Sequence, residues 1–203
     1  MNTADIPVVG VSVHDITPAE AVETIVNWAR EGSGGYVSTP NVDHLVRARR
    51  DPAFKTLVEG ARLRLPDGMG LVYGMRLYGR PLRSRVTGRL LPEAIARAAG
   101  DSVPLALLGG RDDAPQKAAA RLRELGANVV AAISPQMGFE VGGAADMEAT
   151  RQLVAAAPRI LIVGFGAPKQ EQWMARHAAD LPQTVMLGLG QTIDVLGGRV
   201  AAA

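Results

Sequence analysis

Cysteine is absent from this chain, which excludes a disulfide framework, a thiolate zinc site and a cysteine nucleophile. Met1 to Pro7 show neither the basic start nor the apolar stretch of a secretory signal, so the expected location is cytoplasmic. Long apolar runs are missing as well. Ile160 to Phe165 is the best of them and is only strand-length, whereas a helix crossing a bilayer needs roughly 20 apolar residues. Membrane contact is therefore expected to be peripheral. His14, His44 and His177 are far apart and lack the spacing of a zinc-binding helix, so no metal site is expected, and a lone His44 beside Asp43 reads as a helix-surface or packing residue. No D-x-D sequence is present to hold a divalent ion on a diphosphate. The nearest approach, Asp146-Met147-Glu148, reads as a pair of first-turn acids favoured by the helix macrodipole. Neither a G-x-G-x-x-G fingerprint nor a Walker A loop occurs, which argues against a nicotinamide-dependent oxidoreductase.

What is present describes one core. The chain has 203 residues, 47% hydrophobic and 21% charged, as expected of a globular protein of one or at most two domains. The formal net charge is only +2, yet Arg47 to Arg97 holds twelve Lys or Arg against four acids, leaving the remainder at −6. This asymmetry implies that the first half meets something anionic: phosphates of a small molecule, a nucleic acid or a lipid surface. Nineteen of the 22 basic residues are Arg, so a general preference for Arg competes as an explanation of residue type. Nucleic acid is disfavoured, because the basic region offers only Phe54, Tyr73 and Tyr78 as stacking platforms and no recognition motif.

Thr17-Pro18-Ala19-Glu20 is a capping box with Pro at the first helical position, and the apolar spacing that follows predicts a helix ending at Gly32. A strand is expected over Gly35 to Thr39, a helix over Val42 to Arg50, a second short helix to Val58, and a strand over Arg62 to Leu65. Pro66-Asp67-Gly68 then presents Asp67 at a strand's carboxyl end. From Val103 onward strands and helices alternate: strands near 105–108, 129–133, 159–163 and 184–187, and helices near 114–125, 146–156 and 169–179. That rhythm predicts right-handed βαβ units in a mainly parallel sheet whose ligands bind at the carboxyl edge. Gly109-Gly110, Gly164-Phe165-Gly166 and Gly188-Leu189-Gly190 fall at such edges. Each suits either phosphate binding at a helix start or a tight turn that only glycine tolerates. Asp67, a short distance before Arg80, Arg83, Arg85 and Arg89, is a candidate general base as well as an ordinary turn residue.

Several segments in order resemble the WecG/TagA/CpsF glycosyltransferase family. They are Thr39-Pro40-Asn41-Val42-Asp43-His44-Leu45, Leu65-Pro66-Asp67-Gly68-Met69-Gly70, Arg85-Val86-Thr87-Gly88, Leu107-Leu108-Gly109-Gly110, and Val163 through Gly166-Ala167-Pro168-Lys169-Gln170-Glu171 to Trp173. Together they span roughly Thr39 to Gly198, and the pairing of Pro-Asp-Gly-Met-Gly with Gly-Ala-Pro-Lys-Gln-Glu is highly specific. The resemblance implies an inverting, metal-independent transfer of an N-acetylmannosamine-type sugar from a UDP-sugar to a polyprenyl-diphosphate-linked saccharide. The setting it implies is the inner face of the cell membrane, in teichoic acid or other surface polysaccharide synthesis, with no cofactor. By the same resemblance Asp67 matches the general base, Thr39, Asn41 and Gln170 line its pocket, and Arg85 is the cation near diphosphate or acceptor. Phe139 takes the place of an aromatic against the uracil, and Asp194 that of an acid at the nucleoside. Gln191 stands where small residues are usual, and the family's basic C-terminal membrane-docking segment is expected to be missing beyond Val200.

These readings converge on one α/β domain over residues 1–203 with a mainly parallel, doubly wound (Rossmann-like) sheet. The alternatives are a UDP-glucose or UDP-uronic acid donor in exopolysaccharide assembly, or a non-catalytic nucleotide-sugar binding protein. Self-association into a homo-oligomer is plausible for a small apolar-rich chain.

Overall fold

The computed structural model describes residues 5–8, 10–136 and 138–200. Strands β1 (Asp5–Val8) and β2 (Val11–His14) form an antiparallel hairpin that the sequence reading did not anticipate. Helix α1 (Pro18–Glu31) follows, with both halves of its capping box made: Glu20 N–H donates to Thr17 Oγ1 and Thr17 N–H donates to Glu20 Oε2. Then come β3 (Gly35–Ser38), α2 (Val42–Arg50), α3 (Pro52–Glu59), β4 (Leu63–Arg64), α4 (Met69–Leu77) and α5 (Leu91–Ala99). The regular half is β5 (Leu105–Gly109), α6 (Ala114–Glu124), β6 (Val129–Ile133), α7 (Ala144–Ala156), β7 (Ile160–Gly164), α8 (Lys169–Arg176), β8 (Val185–Gly188) and α9 (Thr192–Leu196).

Six strands form one parallel sheet in the order β4-β3-β8-β7-β5-β6. The alternation of side chains across a strand divides the core cleanly. Leu105, Leu107, Ile160, Ile162, Val185 and Leu187 point to the face covered by α1, α5, α6 and α9. Their neighbours Ala106, Leu108, Leu161, Val163 and Met186 point to the face covered by α7 and α8, where Leu153, Trp173 and Met174 meet them. Helices on both faces make the sheet doubly wound, as expected.

A third apolar cluster joins the hairpin to α2, α3 and α4 through Val11, Val13, Leu45, Phe54, Val58, Leu71 and Met75. Arg64 ties this layer to the sheet edge: its guanidinium donates to both oxygens of Asp5 at 3.0 Å and to the carbonyls of Ser12, Glu59 and Ala61. The hairpin thus covers the β4 edge, which would otherwise expose an unpaired strand.

Two sequence expectations need correction. Helix α8 stops at Arg176 instead of running to Ala179, because the amides of Asp180 and Leu181 both turn back onto the His177 carbonyl. Asp146 does lie in the first turn of α7, but it is fully buried. Its Oδ2 accepts from Gly142 N–H at 2.6 Å and faces His177 Nε2 at 3.0 Å, while Oδ1 accepts from Trp173 Nε1 at 2.5 Å. It is a core acceptor that pins α7 to α8. Glu148, the other member of the expected pair, is exposed and bonds Arg151.

Candidate active site

Parallel strands place every carboxyl end on one edge, and the turns leaving that edge carry the candidate residues. Thr39 and Asn41 follow β3, Asp67 follows β4, Gln170 opens α8 after β7, Gly190 and Gln191 follow β8, and Gly109 and Gly110 close β5. Two cavities lie over these turns. One, of about 760 Å³, is lined by Thr39, Asn41, His44, Asp67 and Gln170 together with Arg47 and Arg50. The other, of about 550 Å³, is lined by Gly109, Gly110, Phe139, Phe165, Lys169 and Asp194. Gly190 and Gln191 line both, so the two adjoin.

In the first cavity Asp67 is half-buried. Its backbone N–H donates to Pro40 carbonyl at 2.9 Å, Oδ1 accepts from Gly68 N–H at 2.7 Å, and Oδ2 lies 3.4 Å from Gly88 N. The carboxylate is therefore oriented by main chain. Gly68, at φ +85°, makes the turn that lets α4 begin directly behind it. Thr39 is buried, with its hydroxyl donating to Gly188 carbonyl at 3.0 Å. Asn41 caps α2 by accepting from His44 N–H at 3.1 Å. Gln170 is buried and accepts from Gly190 N–H at 2.9 Å.

The second cavity has an aromatic wall. Phe139 and Phe165 stand 4.8 Å apart between ring centroids, and Lys169 Nζ sits 3.5 Å from the Phe139 centroid while donating to that residue's carbonyl oxygen. Asp194 is buried and accepts from Arg111 N–H at 2.9 Å, which fixes the turn after β5. Gly109 and Gly110 have a packing reason for their identity. At φ +108° and +79°, an added Cβ would come 2.7 Å from Gly164 carbonyl oxygen and 2.7 Å from Ile193 Cγ2, respectively. The close approach of β5, β7 and α9 alone accounts for glycine here.

The structure brings Asp67, Thr39, Asn41 and Gln170 together in one cavity and Gly109, Gly110, Phe139 and Asp194 in the next. Arg85 is placed elsewhere: it lines a groove between α1 and α5 with Val22, Val26, Leu91 and Ala94, and none of that groove's residues lines the Asp67 cavity. Arg83 is also turned away, bonding Asp15 and Glu20. The Thr17 N–H first, and then Arg83, hold the Glu20 carboxyl down to about 2. The cations in the Asp67 cavity are Arg47 and Arg50, which the sequence reading placed in the basic region without assigning them. Their signal was available: they lie about 1.7 and 2.5 turns after Asn41, on the helix it caps. Lys169 and Phe165 went unassigned for a different reason, since an amphipathic helix start and a glycine turn explain both locally.

Fold and cleft together define an α/β enzyme with a carboxylate and cations converging over strand carboxyl ends. The profile of the Glycosyl transferase WecG/TagA/CpsF family matches residues 6–203, and the chain belongs to this family. It is a glycosyltransferase. It is 27% identical over 200 residues to the Staphylococcus aureus (strain NCTC 8325 / PS 47) protein named N-acetylglucosaminyldiphosphoundecaprenol N-acetyl-beta-D-mannosaminyltransferase, covering 97% of this chain and 77% of that one. A Bacillus spizizenii (strain ATCC 23059 / NRRL B-14472 / W23) protein of the same name is 26% identical over 180 residues, covering 85% of this chain and 66% of the other.

Proposed function

We propose that this glycosyltransferase moves an N-acetylmannosamine-type sugar from a UDP-sugar to the terminal sugar of a polyprenyl-diphosphate-linked acceptor, with inversion and without a metal ion. The carrying observation is the juxtaposition of Asp67, Arg47 and Arg50 in one cavity with an aromatic-walled cavity next to it. The names of the relatives support the sugar and the undecaprenol-linked acceptor.

In this scheme the uracil lies against Phe139 and Phe165, Asp194 and the Gly109-Gly110 turn border the nucleoside, and the diphosphate faces Arg47, Arg50 and Lys169. Asp67 takes the proton from the acceptor hydroxyl as its oxygen attacks the anomeric carbon from the face opposite the leaving group. The anomeric C–O bond breaks, UDP leaves with the electron pair, and guanidinium and N–H groups stabilise the charge that develops. Thr39, Asn41 and Gln170 shape the donor-sugar pocket. Arg85 has its proposed role toward the acceptor in the α1/α5 groove, outside both cavities.

The test is transfer from UDP-N-acetylmannosamine to a polyprenyl-diphosphate N-acetylglucosamine, with product linkage read by NMR. A β-linked disaccharide formed in the presence of EDTA is expected. Transfer only from UDP-glucose or a UDP-uronic acid would move the donor assignment, and nucleotide binding without turnover would leave a non-catalytic binder. For the nucleoside cavity, Phe139→Ala is expected to weaken UDP binding about ten- to hundredfold by calorimetry, the loss of one base-stacking platform.

Peripheral membrane contact is assigned to helix α4. Met69, Tyr73 and Leu77 recur every four residues on its outer face and are exposed, as are Tyr78 and, on α2, Val42 and Val46. Arg76 and Arg80 are exposed beside them, and among the described residues they make no ion pair. An apolar stripe rimmed by Arg suits anionic lipid. A second copy on the same face would bring like charges together, which disfavours a homo-oligomer there. Among the described residues no helix is long and apolar enough to cross a membrane. The variant Leu77→Asp/Tyr78→Asp is expected to lose most of its co-flotation with vesicles of one-third phosphatidylglycerol. Unchanged flotation, or a dimer seen by light scattering that the variant dissolves, would overturn the assignment.

A further inference from the structure

The Asp67 cavity is walled on two sides by a buried chain of polar side chains whose proton positions are forced by the main chain. A backbone amide only donates, so Gly190 N–H at 2.9 Å fixes the Gln170 atom facing it as oxygen, and the Gln170 Nε2 group then donates to Glu171 Oε1 at 2.9 Å. On the opposite side, His44 N–H at 3.1 Å fixes the Asn41 atom facing it as Oδ1. The same oxygen lies 2.8 Å from His44 Nδ1, so Nδ1 carries a hydrogen and donates to it. The remaining ring nitrogen, Nε2, faces Glu171 Oε1 at 3.4 Å, and among the described residues neither Nε2 nor the buried Glu171 Oε2 makes a hydrogen bond. His44 is almost fully buried and Glu171 completely so.

A neutral imidazole with its hydrogen on Nδ1, opposite an ionised Glu171, would set lone pair against lone pair in a site with little water to screen them. One further proton removes this conflict. We propose that His44 holds that proton on Nε2, and that the resulting imidazolium–carboxylate pair is a positioning device. It links α2 to α8 and thereby sets Asn41 and Gln170 at a fixed separation across the cavity. Glu171 Oε1 already accepts from Gln170 Nε2, so the oxygen facing the ring is an acceptor and the hydrogen between them belongs to His44 Nε2. The other charged groups lining this cavity are Asp43 and Arg47 on the same helix as His44, Arg50 one turn further, Asp51 at the head of α3, and Asp67. With Glu171 neutralised by His44, Arg47 and Arg50 keep their charge for a phosphate-bearing ligand. Without the proton, an uncompensated carboxylate would stand behind the wall on which that ligand rests. The pair itself follows from geometry; only its consequence rests on the sugar-transfer reading of the cavity.

The direct test is ¹⁵N NMR of the histidine-labelled chain at pH 7, with the His44 signals identified by their disappearance in His44→Gln. Both His44 ring nitrogens are expected to carry hydrogen, and Nε2 is expected to lose it in Glu171→Gln, where the counter-charge is gone and the shape is kept. A bare Nε2 at pH 7 in the unmodified chain would overturn the proposal. The positioning role is read from UDP affinity by calorimetry at pH 7. His44→Leu, which removes the Nε2 hydrogen, is expected to weaken binding about tenfold or more, and His44→Gln, whose amide can donate to Glu171, is expected to recover most of that loss. Equal affinities for the two variants would remove the positioning role. If UDP fails to bind the unmodified chain, the proposed function fails while the NMR result still decides the pair.

Discussion

Asp67→Asn is expected to lower sugar transfer by roughly 10²- to 10⁴-fold, the usual weight of a positioned general base. UDP affinity should stay within about twofold, because the substitution changes proton-accepting power and leaves volume almost unaltered. The expectation depends on geometry specific to this cavity. The side chain is held by the Gly68 and Gly88 amides, and among the described residues no guanidinium bonds it, so its Asn replacement keeps an oxygen for one of those amides. Arg47→Ala and Arg50→Ala lie in the same cavity but serve a different purpose in the proposed scheme, and are expected to weaken UDP binding as well as turnover. A rate of transfer in Asp67→Asn within tenfold of the wild type would show that another group, or water, accepts the proton. Loss of UDP binding in the same variant would show that Asp67 belongs to the nucleotide side.

The largest expected effect on stability belongs to Asp146. Replacing it with alanine removes one fully buried acceptor shared by Gly142 N–H, Trp173 Nε1 and His177 Nε2, and leaves those groups unpartnered in the core. A cost of about 3–5 kcal/mol is expected, from the range measured when one partner of a buried charged network is deleted. Urea unfolding of the two proteins checks it, and a loss below about 1 kcal/mol would mean that water repairs the cavity. The same residue sets an acid limit. Burial alone would push the Asp146 carboxyl up, but donation from Gly142, His177 and Trp173 overrides that and holds it below its ordinary 3.8. The folded value is thus lower than the unfolded one, so this contribution is fully present above about pH 4 and is lost as pH falls through the folded value. Asp146→Asn should accordingly flatten the acid limb of the stability curve while lowering the plateau.

Elements whose cause lies within a few residues were legible from the chain alone. The α1 capping box, the Asp51-Pro52 start of α3 and the apolar strands β5, β7 and β8 all carry their own signals. Helices α4 and α5 were missed, and neither has a side-chain hydrogen bond capping its start: α4 begins at Gly68 and α5 grows out of a 3₁₀ turn at Gly88–Leu90. They are stabilised by burying their own apolar side chains in the neighbouring clusters, Leu71 and Met75 in one case and Leu91, Ile95 and Ala96 in the other. The hairpin at the start of the chain is anchored from a distance. Its place depends on Arg64, fifty residues further along the sequence from His14, whose ring accepts from the Arg64 amide.

Local order and spacing were enough to determine a parallel α/β sheet and the carboxyl edge at which its ligands bind, because turn chemistry and strand alternation are short-range, while the grouping of Asp67 with Thr39, Asn41 and Gln170 was implied only by the family resemblance. Which cations face that group was decided only by tertiary structure. Arg83 lies closer to Asp67 in sequence than Arg50 does, yet it is drawn off by Asp15 and Glu20, while Arg47 and Arg50 reach the cavity along the helix that Asn41 caps. The buried states of Asp146, Glu171 and His44 were likewise settled by packing. A charge's environment depends on the helices folded over it, and neighbouring residues in the chain carry no record of them.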